Sequence, residues 1–490
     1  MPEHKINTLP VSKGDVVEVE IVDLSHDGEG VGFADGFTLF VPETAPGDLA
    51  AVKVITVQKS YARALPVSII RLSPYRTTPA CKHFHECGGC QLQHIQYNHQ
   101  LRLKQKRVID ALQRLGGLEA QVQPIIGMPY PWNYRNKAQV PLAFEHGRVV
   151  AGFYEKRSHQ VVNIEECSIQ HPGSNQVINE TRAALQELQI PIYDENNHKG
   201  LVRHILSRVS FSTGELLLTI ITNGEKLLHT AQLVERLCSG IENLVGIVQN
   251  VNTRPGNTIL GANNITLWGR PSLVEKLGGL TFQISSQSFF QVNPAQSEVL
   301  YDQVLAFAGL TGGETVFDLY CGTGAIALFL AGKAGRVIGV DNVLKAVEDA
   351  RINASINRIN NSEFYSGRAE EVVPDLLEKG YHPDVIVVDP PRKGCEVKLL
   401  ETIVAAAPER IIYVSCNPAT LARDLRFLVE KGYTPTKIQP VDMFPHTSHV
   451  ECVVLMSRQR TRGQGLVCPG LMRYNLAEVV GYAKASAKKE

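Results

Sequence analysis

From Gly312 onward, short apolar runs alternate with helical stretches: Thr315 to Leu319, Arg336 to Val340, Asp384 to Val388, Ile411 to Ser415 and Val450 to Met456. Continuous apolar runs suit strands buried on both faces, and helices between them cross over a largely parallel sheet. The alternation therefore predicts a doubly wound α/β domain. Its first strand, ending in Asp318-Leu319-Tyr320, runs into Cys321-Gly322-Thr323-Gly324 and a helix, and its second strand ends in Asp341. Glycines at such a turn let a ligand approach the backbone, and an acid ending the second strand can accept both ribose hydroxyls of an adenosine. The third glycine of the dinucleotide fingerprint is missing. Asp318, just before the turn, stands where the amino group of S-adenosylmethionine calls for an acid, so the crevice reads as a methyl-donor site rather than a nicotinamide site.

Two further strand ends point at the same crevice, where an open α/β sheet takes its ligand. Val388-Asp389-Pro390-Pro391-Arg392 places an acid and a rigid double proline after a buried strand, a shape that holds a flat base or the methionine end of a cofactor. In Tyr413-Val414-Ser415-Cys416-Asn417-Pro418 a cysteine lies between a buried strand and a helix start, and a helix amino terminus favours a thiolate. Most cysteines in such places are buried small residues, so the reading of Cys416 as a nucleophile rests on the crevice around it. Methyl transfer to oxygen, nitrogen or sulfur needs at most a base. Carbon 5 of a pyrimidine is a poor nucleophile until a thiolate adds to carbon 6 and makes it enolate-like. A base must then take the proton from carbon 5. His449 and Glu451 face the same side of the last strand, and Glu451, between apolar runs, is the stronger candidate because burial raises a carboxyl pKa.

Upstream, apolar-alternating runs from Val16 to about Ile70, broken by Asp27-Gly28-Glu29-Gly30 and Ala45-Pro46-Gly47-Asp48, predict a five-stranded OB-like barrel. Such barrels often bind single-stranded nucleic acid, but this one carries more acids than bases, so a structural barrel fits nearly as well. Cys81, Cys87 and Cys90 follow within ten residues, with Cys167 as a distant fourth soft ligand. Four thiolates suit tetrahedral zinc or an iron–sulfur cluster, and His83, His85 and His94 keep a mixed-ligand zinc site open. A helical segment with Leu101, Val108, Leu112 and Leu115 on one face has Arg102, Lys104, Lys106, Arg107 and Arg114 on the other. That basic face reads as a phosphate-binding surface or a solvated one. The composition, 44% hydrophobic with 49 basic and 49 acidic residues, excludes a disordered or fibrous chain and gives no global sign of a polyanion partner. No apolar run spans a membrane and no secretory leader opens the chain, so the expected compartment is the cytoplasm.

On these motifs the chain resembles the RNA (uracil-5-)-methyltransferases with an amino-terminal TRAM domain, and among them the 23S ribosomal RNA branch. The likeness spans residues 1 to about 456. The resemblance implies a multidomain fold: a TRAM β-barrel at 10–72, an α+β central domain with an iron–sulfur cluster at 73–285, and a Rossmann-like class I methyltransferase domain at 286–456. The helical segment 97–116 is expected to be able to pack on the catalytic domain, and a tail covers 457–490. It implies that Gln291 (in Ser288-Phe289-Phe290-Gln291-Val292-Asn293), Tyr320, Asp341 and Asp389 bind S-adenosylmethionine, that Cys416 is the nucleophile and Glu451 the base. It also makes Cys81, Cys87, Cys90 and Cys167 ligands of a [4Fe–4S] cluster. Asn293 and Pro294 also read as a helix start. The expected partner is 23S ribosomal RNA, its target base extruded from the stack and its backbone held by the basic residues at 102–114 with Arg135, Lys137 and Arg148. No membrane and no obligate protein partner are expected. Rival readings are a transfer RNA uridine, a cytosine carbon 5, whose enzymes usually show two cysteine motifs not found here, and a non-catalytic RNA-binding or assembly factor. The last would have no reason to keep Cys416, Glu451 and the cofactor motifs together.

Overall fold

The computed structural model describes residues 9–459. Strands β1 (Val16–Leu24), β2 (Gly30–Ala34), β3 (Phe37–Val41), β4 (Leu49–Val57) and β5 (Tyr61–Arg71) close into a barrel in the order β1-β2-β3-β5-β4. Alternation does what the sequence leads one to expect: Val19, Ile21, Leu39, Val41, Val52 and Val54 fill the interior while Glu18 and Glu20 face out. At Gly32 a Cβ would lie 2.1 Å from Val19 Cγ1, so closure at that point requires glycine.

After the cysteine segment comes helix α1 (Tyr97–Arg114), and then a seven-stranded sheet with two helices. Its members are β6 (Lys137–Glu145), β7 (Arg148–Tyr154), β8 (Val161–Asn163), α2 (Pro172–Glu187), β9 (Val202–Val209), β10 (Leu216–Thr222), α3 (Thr230–Gly240), β11 (Leu244–Val251) and β12 (Asn263–Gly269), with strands in the order β12-β11-β10-β9-β6-β7-β8. Strands β9 and β10 are buried along their whole length; β10 reads as a nearly continuous apolar run, whereas β9 buries Arg203, His204, Ser207 and Arg208 as well.

A hairpin, β13 (Ser272–Leu277) and β14 (Leu280–Ser285), leads to α4 (Pro294–Ala308). Asn293 caps that helix, accepting from Gln296 N at 3.2 Å with Pro294 in the first turn. The remaining elements are β15 (Thr315–Leu319), α5 (Ala325–Ala331), β16 (Arg336–Asp341), α6 (Leu344–Ile356), β17 (Ser362–Ser366), α7 (Ala369–Glu378), β18 (Val385–Val388), α8 (Val397–Ala406), β19 (Arg410–Ser415), α9 (Pro418–Glu430), β20 (Tyr433–Val441) and β21 (Glu451–Arg458). They form a sheet in the order β17-β16-β15-β18-β19-β21-β20, parallel from β17 to β19, with β21 antiparallel to both β19 and β20. One core lies between the sheet and α4, α5 and α6, and the other between it and α7, α8 and α9. The edge strands β17 and β20 escape the apolar-run reading. β17 is short and polar, and β20 carries Pro435 and Pro440, which an edge tolerates.

Two pieces of the range 73–285 share the cores of the catalytic sheet. Leu273, Leu277, Phe282 and Ile284 of the hairpin pack with α4 and α5, and Val108, Ala111 and Leu112 of α1 pack with α9. Val122 and Ile126 then bridge in parallel to Ile438 and Val441, extending the sheet beyond β20. The hairpin thus joins the catalytic core by tertiary contact, while β13 also touches β10 and β11 of the central sheet. Of the expected tail, Ser457 and Arg458 belong to β21, and residues 460–490 lie outside the described residues.

The barrel docks through its acids. Glu29 pairs with Arg63 of the barrel and with Arg157 of the central sheet's β7–β8 turn. Glu43 pairs with Lys156 and His85 at 2.6 Å each, and Asp23 pairs with Lys106 of α1 at 2.6 Å. The acid surplus that argues against nucleic acid is thus partly engaged inside the molecule.

Candidate active site

The crevice lies at the carboxyl ends of β15, β16, β18 and β19. At the first turn Tyr320 adopts a left-handed backbone (φ 74°), and Gly322 and Gly324 do likewise at 55° and 81°. A non-glycine residue in that region stores strain, which clusters where ligands bind. Asp341 at the end of β16 holds the turn: its Oδ2 accepts from Gly322 N at 2.9 Å and its Oδ1 from Val343 N at 2.8 Å. The carboxylate is thereby fixed at the lip of the crevice, with lone pairs left for a diol. Gln291 is buried in a segment clamped from outside the domain. Asn136 donates from its backbone N to Val292 O at 2.8 Å and from Nδ2 to Gln291 O at 3.1 Å, and Arg208 donates to the carbonyls of Ser286 and Ser288.

Sheet register brings the two chemical residues together. The β19–β21 ladder ends with Ser415 facing Cys452, and just beyond it Cys416 lies close enough to Glu451 for that carboxyl to act on its thiol. Glu451 is 3% exposed and its Oε2 has no hydrogen-bond partner. Burial first and the Asp389 carboxylate second push its pKa well above the ordinary value, while Arg392 opposes them. Burial lifts Asp389 to about 6. Asp318, 1% exposed, has no side-chain partner; burial, with Asp389 and Asp341 nearby, lifts it to about 8 against the backbone N–H of Ala327. The Cys416 thiol is pushed up to about 12 by burial, Glu451 and Asp389. The surroundings of Cys416 thus act against the thiolate that a helix start favours. Asn417 does cap that helix, accepting from Ala419 N at 3.1 Å, yet burial, with the carboxyls opposite, outweighs the helix end.

Two members of the pocket escape sequence reading. Tyr301 of α4 is buried beside Asp318, Asp389 and Glu451, and an aromatic on an amphipathic helix reads as core. Arg392, from the double-proline turn, reaches His449, donating from Nη2 to Nε2 at 3.2 Å. The turn is held by its own carbonyl, since Arg392 O accepts from Asn417 Nδ2 at 3.0 Å and Thr420 Oγ1 at 3.1 Å.

The four cysteines line one cavity of about 380 Å³, together with Phe84, Arg135, Lys137 and Gln139. Burial pushes the Cys87 thiol up to about 11 and that of Cys90 up to about 12. Among the described residues no three His, Cys, Asp or Glu side chains are arranged around a single ion. The mixed-ligand zinc reading loses two of its histidines as well: His85 pairs with Glu43, and the ring Nε2 of His94 lies 3.2 Å from Thr44 O.

The basic face of α1 is also corrected. Its buried stripe runs Gln100, Lys104, Val108, Ala111 and Leu112, so Lys104 points inward, 2.6 Å from Asp442 and 2.9 Å from Phe444 O. Lys106 pairs with Asp23 and Asp110, and Arg107 donates to His26 O and Ser448 O. Arg102, Arg114 and Arg148 remain exposed, whereas Arg135 and Lys137 face the cysteine cavity.

The tRNA (uracil-5-)-methyltransferase family matches residues 96–459, and the TRAM domain matches residues 10–67. An uncharacterized RNA methyltransferase of Halalkalibacterium halodurans is 49% identical over 91% of this chain and 98% of its own length. One of Clostridium acetobutylicum is 46% identical over 92% and 98%. Among solved structures, the Pyrococcus abyssi tRNA (uracil-54, C5)-methyltransferase in complex with S-adenosyl-L-homocysteine superposes with a TM-score of 0.72 at 29% identity, over 90% of this chain and all of that one.

Proposed function

The chain belongs to the tRNA (uracil-5-)-methyltransferase family, with a TRAM domain ahead of the family region, and from that premise we propose that it methylates carbon 5 of a uridine in 23S ribosomal RNA through a covalent adduct on Cys416. The observation that carries the mechanism is the β19–β21 register, which sets a cysteine against a buried carboxyl at the mouth of an S-adenosylmethionine-type crevice.

Asp341 accepts the ribose hydroxyls of S-adenosylmethionine, the clamped Gln291 segment and Tyr320 flank the cofactor, and the buried Asp318 and Asp389 lie toward its amino end. The Cys416 thiolate adds to carbon 6 of the extruded uracil, and the carbon 5–carbon 6 electron pair moves onto the carbon 5–carbonyl system. Carbon 5 then takes the methyl group, leaving S-adenosylhomocysteine. Glu451, as carboxylate, takes the carbon 5 proton, and the sulfur–carbon 6 bond breaks as the ring double bond re-forms. A thiol and two carboxyls packed in one pocket cannot all ionise freely, so base and nucleophile become active over a limited pH range.

The chemistry of the donor set fits a [4Fe–4S] cluster held by Cys81, Cys87, Cys90 and Cys167. These four line one cavity of about 380 Å³, and four thiolates are the donor set such a cluster takes. When bound, such a cluster supplies a four-point covalent tie between the 81–90 segment and Cys167. Exposed Arg102, Arg114 and Arg148 are the proposed contacts to RNA backbone.

A transfer RNA uridine is the second reading, favoured by the likeness to the Pyrococcus abyssi enzyme over 90% of the chain. Mapping 5-methyluridine in ribosomal and transfer RNA from a deletion strain separates them: loss from 23S ribosomal RNA is expected, and loss from transfer RNA alone transfers the assignment. For the mechanism, Cys416→Ala is expected to form no RNA adduct. Glu451→Gln should accumulate a methylated protein–RNA adduct, because the carbon 5 proton stays and elimination stalls. An active Cys416→Ala enzyme, or wild-type turnover by Glu451→Gln, contradicts the roles.

A further inference from the structure

The nucleophile of the proposed reaction sits in an unfavourable place for a thiolate. Cys416 is partly buried, with Glu451 on β21 to one side and Asp389 after β18 to the other. Two carboxyls and low solvation all oppose ionisation of the sulfur. A covalent addition nevertheless requires the thiolate, so something in the pocket must carry compensating positive charge once the RNA base covers it.

The candidate is built into the turn that follows β18. Arg392 is an exposed guanidinium at the pocket mouth, and it is the cation that acts on both Cys416 and Glu451. Its backbone is tied to the start of α9 by the two bonds to its carbonyl, from Asn417 Nδ2 at 3.0 Å and Thr420 Oγ1 at 3.1 Å. Asn417 is the residue after the nucleophile, so turn and cysteine move as one body. The guanidinium makes no ion pair among the described residues; its side-chain partner is His449, at 3.2 Å. Burial together with Arg392, Arg107, Lys104 and Arg135 pushes that imidazole down to about 4, so at neutral pH it is uncharged and offers Nε2 as an acceptor. An arginine steered by a neutral partner keeps its whole charge for another anion, and an ion-paired one would not.

We propose that Arg392 is the electrostatic partner of Cys416, held by His449 and by the Asn417–Thr420 tether so that its charge stabilises the thiolate that attacks the base. The inference rests on the reading of Cys416 as nucleophile given above. In the step concerned the sulfur–hydrogen bond breaks, the proton leaves to water at the pocket mouth and the electron pair stays on sulfur. Arg392 keeps all its protons.

The test reads the thiol directly. Full-length protein is treated with iodoacetamide across a pH series, and alkylation of the peptide carrying Cys416 is followed by mass spectrometry. In R392M and in R392Q the pH midpoint of alkylation should rise by about one unit, the shift expected when a nearby opposite charge is lost. R392K should recover part of that shift. The side chain is exposed and the tether uses the main chain, so both neutral variants retain the turn. Unchanged midpoints in both would overturn the proposal, as would an equal rise in R392K. A parallel incubation of wild type with RNA and labelled S-adenosylmethionine keeps the two readings apart. If no methylated adduct forms while R392M still shifts the midpoint, the uridine reading falls and the charge pairing stands.

Discussion

At the scale of single residues the pocket is dominated by a buried acid. Asp318 is 1% exposed and has no side-chain partner, only the backbone N–H of Ala327 nearby. Its pKa is raised from 3.8 to about 8, so the folded protein keeps a proton that the unfolded chain releases. The stability this group contributes is full below the unfolded value, falls by about 1.4 kcal/mol per pH unit between the two values, and is gone once pH passes the folded one. The ligand-free wild type should therefore lose stability relative to Asp318→Asn, which cannot ionise, by about 1 kcal/mol or more between about pH 5 and pH 7. Urea unfolding at both pH values measures it, and a constant difference would show that Asp318 does not titrate in that window. A bound ammonium group would remove the same penalty, which makes the residue a fitting receiver for the amino end of the cofactor.

At the scale of elements, α1 shows what periodicity conveys and what it omits. Its apolar positions announce a helix and the structure has one, but the buried stripe is turned so that Gln100 and Lys104 lie in it. Nothing local reveals this, because the partners of Lys104 are Asp442 and the carbonyl of Phe444, more than three hundred residues away. Both members of the ion pair are shielded from water, at 2% and 0% side-chain exposure. Lys104→Met should cost about 3–5 kcal/mol, since it strands the carboxylate without a counter-charge. Denaturant unfolding of the single variant and of Lys104→Met with Asp442→Leu tests this: the double variant should recover much of the loss. If the single variant unfolds like wild type, Lys104 lies on a solvated face instead. Helix α9 is the opposite case, for Asn417 and Pro418 announce its start in the sequence and the structure uses them as cap and first turn.

At the scale of the molecule, the cysteine cavity lies where the domains meet. Arg135 and Lys137 line it, and Asn136 between them holds the Gln291–Val292 backbone of the cofactor segment. A cluster on Cys81, Cys87, Cys90 and Cys167 would stiffen that junction. Anaerobically purified protein is expected to contain iron and to absorb visible light, and Cys87→Ala to lose most of both. Iron analysis and the absorption spectrum decide it; stoichiometric zinc without iron would refute the cluster. The same variant should melt at lower temperature, because the tie between distant segments is gone.

The sequence by itself determined the elements whose signals are local. These are the barrel's alternation, the apolar strands of the catalytic sheet, the glycine turn after β15, and the caps at Asn293 and Asn417. It could not decide what depends on which distant chain segments face one another. The tertiary structure decided that Cys416 lies beside Glu451 at the end of the β19–β21 ladder, that burial and the carboxyls there raise the thiol's pKa against Arg392, and that the hairpin β13–β14 and α1 join the catalytic cores. It also decided that the barrel's acids and the cations of α1 serve each other. The reason is physical: periodicity and capping act within a few residues, whereas burial, counter-charge and desolvation are set by whatever the fold brings within a few ångströms.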